Sequence, residues 1–211
     1  MSLKSALKNY PIAYRWAQKF YPYLTLLVGA FRGRRGWKEH AMSTWSLFYR
    51  DVVLKGRPMN ITIEPTNLCN LGCPVCETGA DVLGRTQNHM TFEQFQTIIK
   101  KVGAYTNTLM FYFMGEPFIN RKSYKMIRYA KDFGIPFITT CTNGDILNPE
   151  KLIKSGLDEV HFQIGGMTQQ THEIYRVGSN LENVLTNLKE TIRLKQAYKS
   201  EIRIMCGFIV M

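Results

Sequence analysis

The chain has 211 residues, 45% of them hydrophobic and 20% charged, a balance that excludes a disordered or fibrous protein and allows one domain with a sizeable buried core. Its formal net charge of +11 is uneven: residues 1 to 57 carry 11 Lys and Arg against 2 Asp and Glu, and residues 58 to 211 carry 16 against 14. Basicity confined to one arm speaks against a nucleic-acid-binding body, and no specific nucleic-acid partner is expected.

In chain order, the opening MSLKSALKNY lacks the pattern of a secretory signal, and the longest apolar run near it is far below the ~20 residues a bilayer span needs. Residues 1–57 read as a basic, aromatic-rich helical arm. Tyr10, Tyr14, Trp16, Trp37 and Trp45 are interleaved with basic residues, Pro11 and Pro22 cut the arm into short helical pieces, and Gly33-Arg-Arg-Gly36 marks a further break. Such an arm is expected to lie against an anionic membrane surface or a partner. The expected location is the cytoplasm, peripheral to a membrane.

From residue 58 the rhythm changes. Short β-type runs at 60–64, 108–113, 136–142, 159–164 and 201–210 alternate with helical stretches at 92–102, 123–133, 149–155 and 181–198, the pattern of βα units around a parallel sheet. Thr91 is placed to cap the first of these helices, with Glu93 and Gln94 in its first turn. Leu181, Val184, Leu185, Leu188 and Ile192 fall at helical spacing in the last.

After the first strand the chain reads Glu64-Pro-Thr-Asn-Leu-Cys69-Asn-Leu-Gly-Cys73-Pro-Val-Cys76, which places three of the five cysteines within eight residues. Near neighbours in sequence leave no sensible disulfide framework, and metal ligation in a reducing cytosol fits better. Three thiolates on one C-x3-C-x2-C loop can each hold one iron of a [4Fe-4S] cluster, leaving the fourth iron without a protein ligand. Zinc is the alternative, with a fourth ligand from Cys141, Cys206 or His89.

Over residues 60 to 210 these landmarks, in order, resemble the radical S-adenosylmethionine (radical SAM) superfamily. Met114-Gly115-Glu116-Pro117 is similar to the Gly-Gly-Glu-Pro motif that holds the methionine amine in that family, and Thr142-Asn143-Gly144 is similar to its strand-three end. Tyr175-Arg176-Val177-Gly178 resembles members that carry an auxiliary-cluster (SPASM or twitch) extension. The resemblance implies an α/β fold, a partial parallel (βα)6-type barrel of which about five βα units are present in 58–211. It further implies metal ligation by Cys69, Cys73 and Cys76, and S-adenosylmethionine contacts from Gly115, Glu116, Pro117, Asn143, Gln163 and Arg176.

Elementary chemistry agrees with that set. In a parallel α/β barrel ligands bind at the carboxyl ends of the strands, where each landmark sits. An amino acid chelating an open iron needs an acceptor for its amine protons and a cation near its carboxylate, roles that suit Glu116 and Arg176. The chain departs from the family at Val75, usually aromatic, at Met114, usually glycine, and at Gln163-Ile-Gly165-Gly166, where relatives have Ser-x-Asp-Gly. Gln163 then stands where a polar residue reaches the ribose.

The implied activity is reductive cleavage of S-adenosylmethionine to a 5'-deoxyadenosyl radical that abstracts hydrogen from a peptide or small-molecule substrate. The implied partner is a one-electron reductant of flavodoxin or ferredoxin type. No catalytic acid or base can be named. A family core has six βα units, and strand five runs into residue 211, so the chain is expected to be a truncated form, a gene fragment or one part of a split protein. The rival reading is a non-catalytic iron-sulfur or zinc-binding interaction module with a basic arm. His161 is expected to be a packed or hydrogen-bonded strand residue, Cys141 and Cys206 small core residues, and His89 and His172 have no assigned role.

Overall fold

A computed structural model describes residues 36–208, and the chain divides after Met59 into two compact units. The expected helical pieces and breaks before residue 36 lie outside the described residues. In the first unit, α1 (Trp37–Tyr49) starts after Gly36 and ends at Arg50, both in the left-handed region, with the Arg50 amide donating back to the Leu47 carbonyl. Ser46 is its one buried residue, and its hydroxyl accepts the Lys55 amide at 3.1 Å. Trp45, Leu47 and Phe48 are exposed, as are Val52, Val53 and Leu54 beyond the helix.

The second unit runs β1 (Asn60–Thr62), α2 (Phe92–Val102), β2 (Thr108–Met110), a 3-10 turn (Pro117–Ile119), α3 (Ser123–Asp132), β3 (Phe137–Thr142), α4 (Pro149–Lys154), β4 (Glu159–Ile164), α5 (Gln169–Tyr175), α6 (Leu181–Ala197) and β5 (Arg203–Phe208). The five strands make one parallel sheet in the order β1-β2-β3-β4-β5. Each helix returns the chain so that the next strand adds at the same edge, which brings all carboxyl ends to one rim. This is the partial barrel of five βα units that the sequence implies.

Side-chain alternation divides the sheet chemically. On the helix-covered face Leu109, Phe111, Ile138, Val160 and Phe162 are fully buried against Phe95, Ile99, Met126, Ile127, Leu152 and Val184. On the other face Tyr112, Cys141, Glu159, His161 and Gln163 are half-buried. His161 is satisfied there by Glu159 at 2.8 Å, and Glu159 also pairs with Arg203 at 3.1 Å.

The helices start where side-chain oxygens replace missing backbone acceptors. Thr91 and Gln94 form a reciprocal capping box, Asn148 caps α4 through the Lys151 amide at 2.9 Å, and Asn180 caps α6 through the Asn183 amide at 3.1 Å. Two strands are shorter than their apolar runs. Past Thr62 the β1 segment meets Pro65, which has no amide to pair. Past Met110 the chain pairs once more, through the Phe111 amide to the Thr139 carbonyl at 2.8 Å, before turning toward the cysteine loop. Helix α5 was not expected. Its seven residues are too few to show a period, and its local signal is the Thr168–Thr171 capping box.

Phe162 is fully buried, and a Cβ on Gly144 would stand 2.8 Å from its ring, so the ring is held tightly beneath the strand-three turn. Phe162→Ala should lower unfolding free energy by about 3–5 kcal/mol in urea titrations, whereas Val52→Ala, fully exposed, should change it by less than about 0.5 kcal/mol.

Candidate cofactor site

The cysteine loop leaves β1 and is held at the sheet rim by backbone contacts. Thr66 donates its hydroxyl to the Asn88 carbonyl at 3.1 Å and accepts the Leu68 amide at 3.1 Å, and His89 Nδ1 lies 2.9 Å from the same oxygen. The Cys76 amide donates to the Cys73 carbonyl at 3.1 Å, and the Gly72 amide donates to the Val177 carbonyl at 2.9 Å. Gly79 packs on the loop from below, where a Cβ would stand 2.5 Å from the Cys73 amide nitrogen.

Strand two reaches the loop through residues 114–116. The Glu116 amide donates to the Leu68 carbonyl at 2.8 Å, and a Cβ on Gly115 would stand 2.2 Å from the Thr66 carbonyl oxygen. Gly115 is therefore required by the chain's own loop, a tighter constraint than close approach of a ligand. Asn120 completes the clamp by donating to the Pro65 and Met90 carbonyls, each at 2.9 Å.

These contacts converge on a cavity of about 180 Å³ lined by Cys69, Cys73, Cys76, Met114, Gly115, Glu116, Cys141, Thr142, Asn143, Gln163, Tyr175 and Arg176. All three triplet cysteines and five of the six residues expected to touch S-adenosylmethionine are brought together there. Pro117 is the exception. It is buried at the first position of the 3-10 turn that Glu116 caps through the Phe118 amide at 3.3 Å. A larger open groove of about 1090 Å³ runs along β1 and α2, lined by Ile61, Glu64, Arg85, His89 and Met90 among others, and contains none of the cysteines.

Glu116 is 3% exposed, and both carboxylate oxygens are engaged. Oε1 accepts from the Thr142 hydroxyl at 2.8 Å as well as from Phe118, and Oε2 accepts from the Asn143 amide at 2.7 Å. Burial dominates and pushes its pKa up to about 7, although these hydrogen bonds and the charge of Arg176 act the other way. Oε1 already accepts two donors, and Oε2 keeps spare lone-pair capacity for a further one. The Cys69 thiol is also raised, first by burial and then by nearby negative charge, with the Leu71 amide opposing. A thiol so held must lose its proton before it can ligate a metal.

Asn143 lines the cavity, and its Nδ2 donates to Asn70 Oδ1 at 2.8 Å, so it also ties strand three to the cysteine loop. Gln163 lies on the Gly207 backbone, where a Cβ would be 2.7 Å from Oε1, and contacts the Cys141 thiol. Arg176 sits beside the Tyr175 ring at 5.2 Å, and its buried Nε has no hydrogen-bond partner. Arg176 also lines the cavity, and a guanidinium there is a donor for an anionic group.

Two expectations are corrected. Cys141 is no core residue but half-buried in the cavity wall, because its strand position alternates onto the open face. Cys206 is exposed, in register with Phe162 on the helix side of β5, the edge strand. Of the three residues offered as a fourth zinc ligand, only Cys141 therefore lines the cavity, and among the described residues no three His, Cys, Asp or Glu side chains are grouped to hold a single metal ion. Sequence reasoning left out Asn70, Tyr112 and His172. Asn70 stands at a variable position inside the cysteine motif, Tyr112 belongs to no motif, and His172 had no visible partner until α5 formed.

Three loop cysteines, a buried carboxylate and an arginine whose Nε has no hydrogen-bond partner thus line one rim cavity of a parallel α/β partial barrel. The Radical SAM superfamily model matches residues 63–209, and the chain belongs to that superfamily. Its members bind a [4Fe-4S] cluster and S-adenosylmethionine. Among curated relatives, the chain is 27% identical over 128 residues to the AdoMet-dependent heme synthase of Methanosarcina barkeri, covering 59% of this chain and 36% of that protein. It is 29% identical over 139 residues to a 7,8-dihydro-6-hydroxymethylpterin dimethyltransferase of Methanocaldococcus jannaschii, covering 61% and 27%. The chain thus spans well under half the length of these two relatives.

The fold is similar to Streptococcus suis SuiB bound to S-adenosylmethionine, with TM-score 0.61 and 15% identity over 92% of this chain and 45% of that one. It is also similar to anSMEcpe with bound AdoMet, with TM-score 0.54 and 20% identity over 71% and 43%. No helix among the described residues is long and apolar enough to cross a membrane.

Because Glu116 has a folded-state pKa of about 7 against an ordinary 4.5, its contribution to stability is fully present below about pH 4.5 and is lost as the pH rises through about 7. The loss is at most about 3 kcal/mol. Urea unfolding of the metal-free chain at about pH 5 and pH 8 should show this decline, and the Glu116→Gln variant should lack most of it.

Proposed function

We propose that residues 58–211 form the S-adenosylmethionine-cleaving core of a radical enzyme and that residues 1–57 form a separate arm. The observation that supports this best is the shared cavity of Cys69, Cys73 and Cys76 with Glu116 and Arg176. In this reading the three thiolates each hold one iron of a [4Fe-4S] cluster. The cluster, once bound and reduced by a flavodoxin- or ferredoxin-type donor, supplies the electron that cleaves the sulfonium to methionine and a 5'-deoxyadenosyl radical.

The protein's own residues orient and exclude. Glu116, as carboxylate, accepts the amine protons of the methionine part, and Arg176 donates to its carboxylate. Gly115 keeps strand two against the cysteine loop so that both groups meet at one point. Asn143 acts chiefly by holding Asn70. Gln163 offers its amide to the ribose from the floor. The half-buried face below, with Tyr112, Cys141 and the His161–Glu159 pair, is where a peptide or small-molecule substrate would present its C–H bond.

A second reading concerns the arm. Its charge, together with the exposed Trp45, Leu47, Phe48, Val52 and Val53, suits an anionic membrane surface. Co-sedimentation with vesicles containing acidic phospholipid should fall to background on deletion of residues 1–50, with the core still folded. Undiminished sedimentation of the deleted protein would end this reading.

The central test is anaerobic reconstitution with iron and sulfide followed by assay for 5'-deoxyadenosine. Wild type should take up about four irons per chain and form 5'-deoxyadenosine with dithionite. Cys69→Ala, Cys73→Ala and Cys76→Ala should each abolish the oxygen-labile cluster, whereas Cys141→Ala and Cys206→Ala should retain it. Normal cluster content in any triplet variant would refute the ligand assignment.

A further inference from the structure

His172 is fully buried, yet it touches neither the cavity nor any cysteine. Both ring nitrogens are used. The Gly165 amide lies 3.1 Å from Nδ1, and Ser179 Oγ lies 3.0 Å from Nε2. An amide N–H can only donate, so Nδ1 is the acceptor and the ring proton sits on Nε2, directed at Ser179. The imidazole thus bridges the end of β4 to the turn that follows α5.

That turn carries two groups on which the site depends. The Arg176 amide donates to the His172 carbonyl at 2.9 Å, and the Ser179 amide donates to the Arg176 carbonyl at 2.9 Å. Between them, the Val177 carbonyl accepts the Gly72 amide from the cysteine loop at 2.9 Å, and Gly178 turns the chain at φ 86. One side of the turn aims a guanidinium into the cavity while the other latches the loop between Cys69 and Cys73.

The packing leaves no slack around this bridge. A Cβ on Gly165 would stand 3.0 Å from Arg176 Cγ and from the His172 carbonyl oxygen, and one on Gly166 would stand 2.4 Å from the His172 amide nitrogen. Gly165 leaves the space that the Arg176 stem occupies. Burial first, and then the Arg176 charge, hold the His172 pKa below the usual histidine range, against smaller effects of Asp145 and Glu173. The neutral ring that the hydrogen bonds require is the form the surroundings favour.

We propose that His172 is a positioning residue: by bridging Gly165 and Ser179 it sets the 176–179 turn, which places Arg176 over the cofactor cavity and latches Gly72 of the cysteine loop. The affinity part of this proposal rests on the reading of Arg176 as the partner of the S-adenosylmethionine carboxylate. The latch on Gly72 does not.

The test uses the full chain, reconstituted anaerobically, with two readouts: equilibrium binding of S-adenosylmethionine, and hydrogen–deuterium exchange of a peptide containing Gly72. Ser179→Ala removes the Nε2–H acceptor at little packing cost, so it serves even where His172→Phe fails to fold. Ser179→Ala and His172→Phe should each speed exchange at Gly72 and weaken binding, by about threefold and about tenfold respectively. His172→Asn, whose amide oxygen can still accept from Gly165, should recover part of both.

Arg176→Met should lose about tenfold or more in affinity, and adding Ser179→Ala to it should cost less than about a further twofold, because the serine acts through the arginine. Additive losses, or wild-type exchange at Gly72 in Ser179→Ala, would overturn the proposal and leave His172 a buried core residue. If wild type binds no S-adenosylmethionine, the functional reading fails on that result, and exchange at Gly72 still decides the latch.

Discussion

The site depends on a carboxylate that is almost entirely buried. Glu116 sits where the ends of strands two and three meet, and its oxygens take the Thr142 hydroxyl and the Asn143 and Phe118 amides. Left unpaired, such a group would cost several kcal/mol, so these donors are conditions for closing the rim. They in turn fix the backbone of 142–144, orient Asn143 toward Asn70, and hold Gly115 against the cysteine loop. Three chain segments far apart in sequence become one wall through a single buried acid.

The electrostatics of the wall are those of a site awaiting charge. Burial raises Glu116 and Cys69 together, which disfavours their anionic forms until a cation arrives. Arg176 lies close enough to oppose the rise at Glu116 without pairing with it, and its Nε remains free of acceptors. A ligand bearing an ammonium and a carboxylate relieves both conditions at once. Preorganisation of this kind costs stability in the empty protein and returns it on binding.

The two faces of the sheet serve different ends. The helix side is a continuous apolar core in which the Thr140 hydroxyl is satisfied by the Phe111 carbonyl at 2.7 Å. The opposite side carries a phenol, a thiol, an amide and an imidazole–carboxylate pair, none of which a packed core would select. Alternation along β3 and β4 turns Cys141, Glu159, His161 and Gln163 to this side, with Cys141 and Gln163 in the cavity wall, so the rigidity of one face positions the chemistry of the other.

Much of this was legible in the sequence because the signals are local. The C-x3-C-x2-C spacing keeps three thiols on one loop whatever the fold does, and β-type runs separated by helical ones force a parallel sheet with its loops at one rim. Caps such as Thr91 act within one helical turn and could be read directly. What the tertiary structure decided is everything carried by contacts across long sequence separations. It set Pro117 apart from the cavity, tied Asn143 to Asn70, turned Cys141 into the wall and Cys206 outward, and made Gly115 a matter of the Thr66 carbonyl. His172 is the clearest case: it lies within a seven-residue helix, and its partners Gly165 and Ser179 lie before and after that helix, so no periodicity joins them to it. Residue type and spacing decide which chemistry a chain can hold, and only packing decides which groups are left free to perform it.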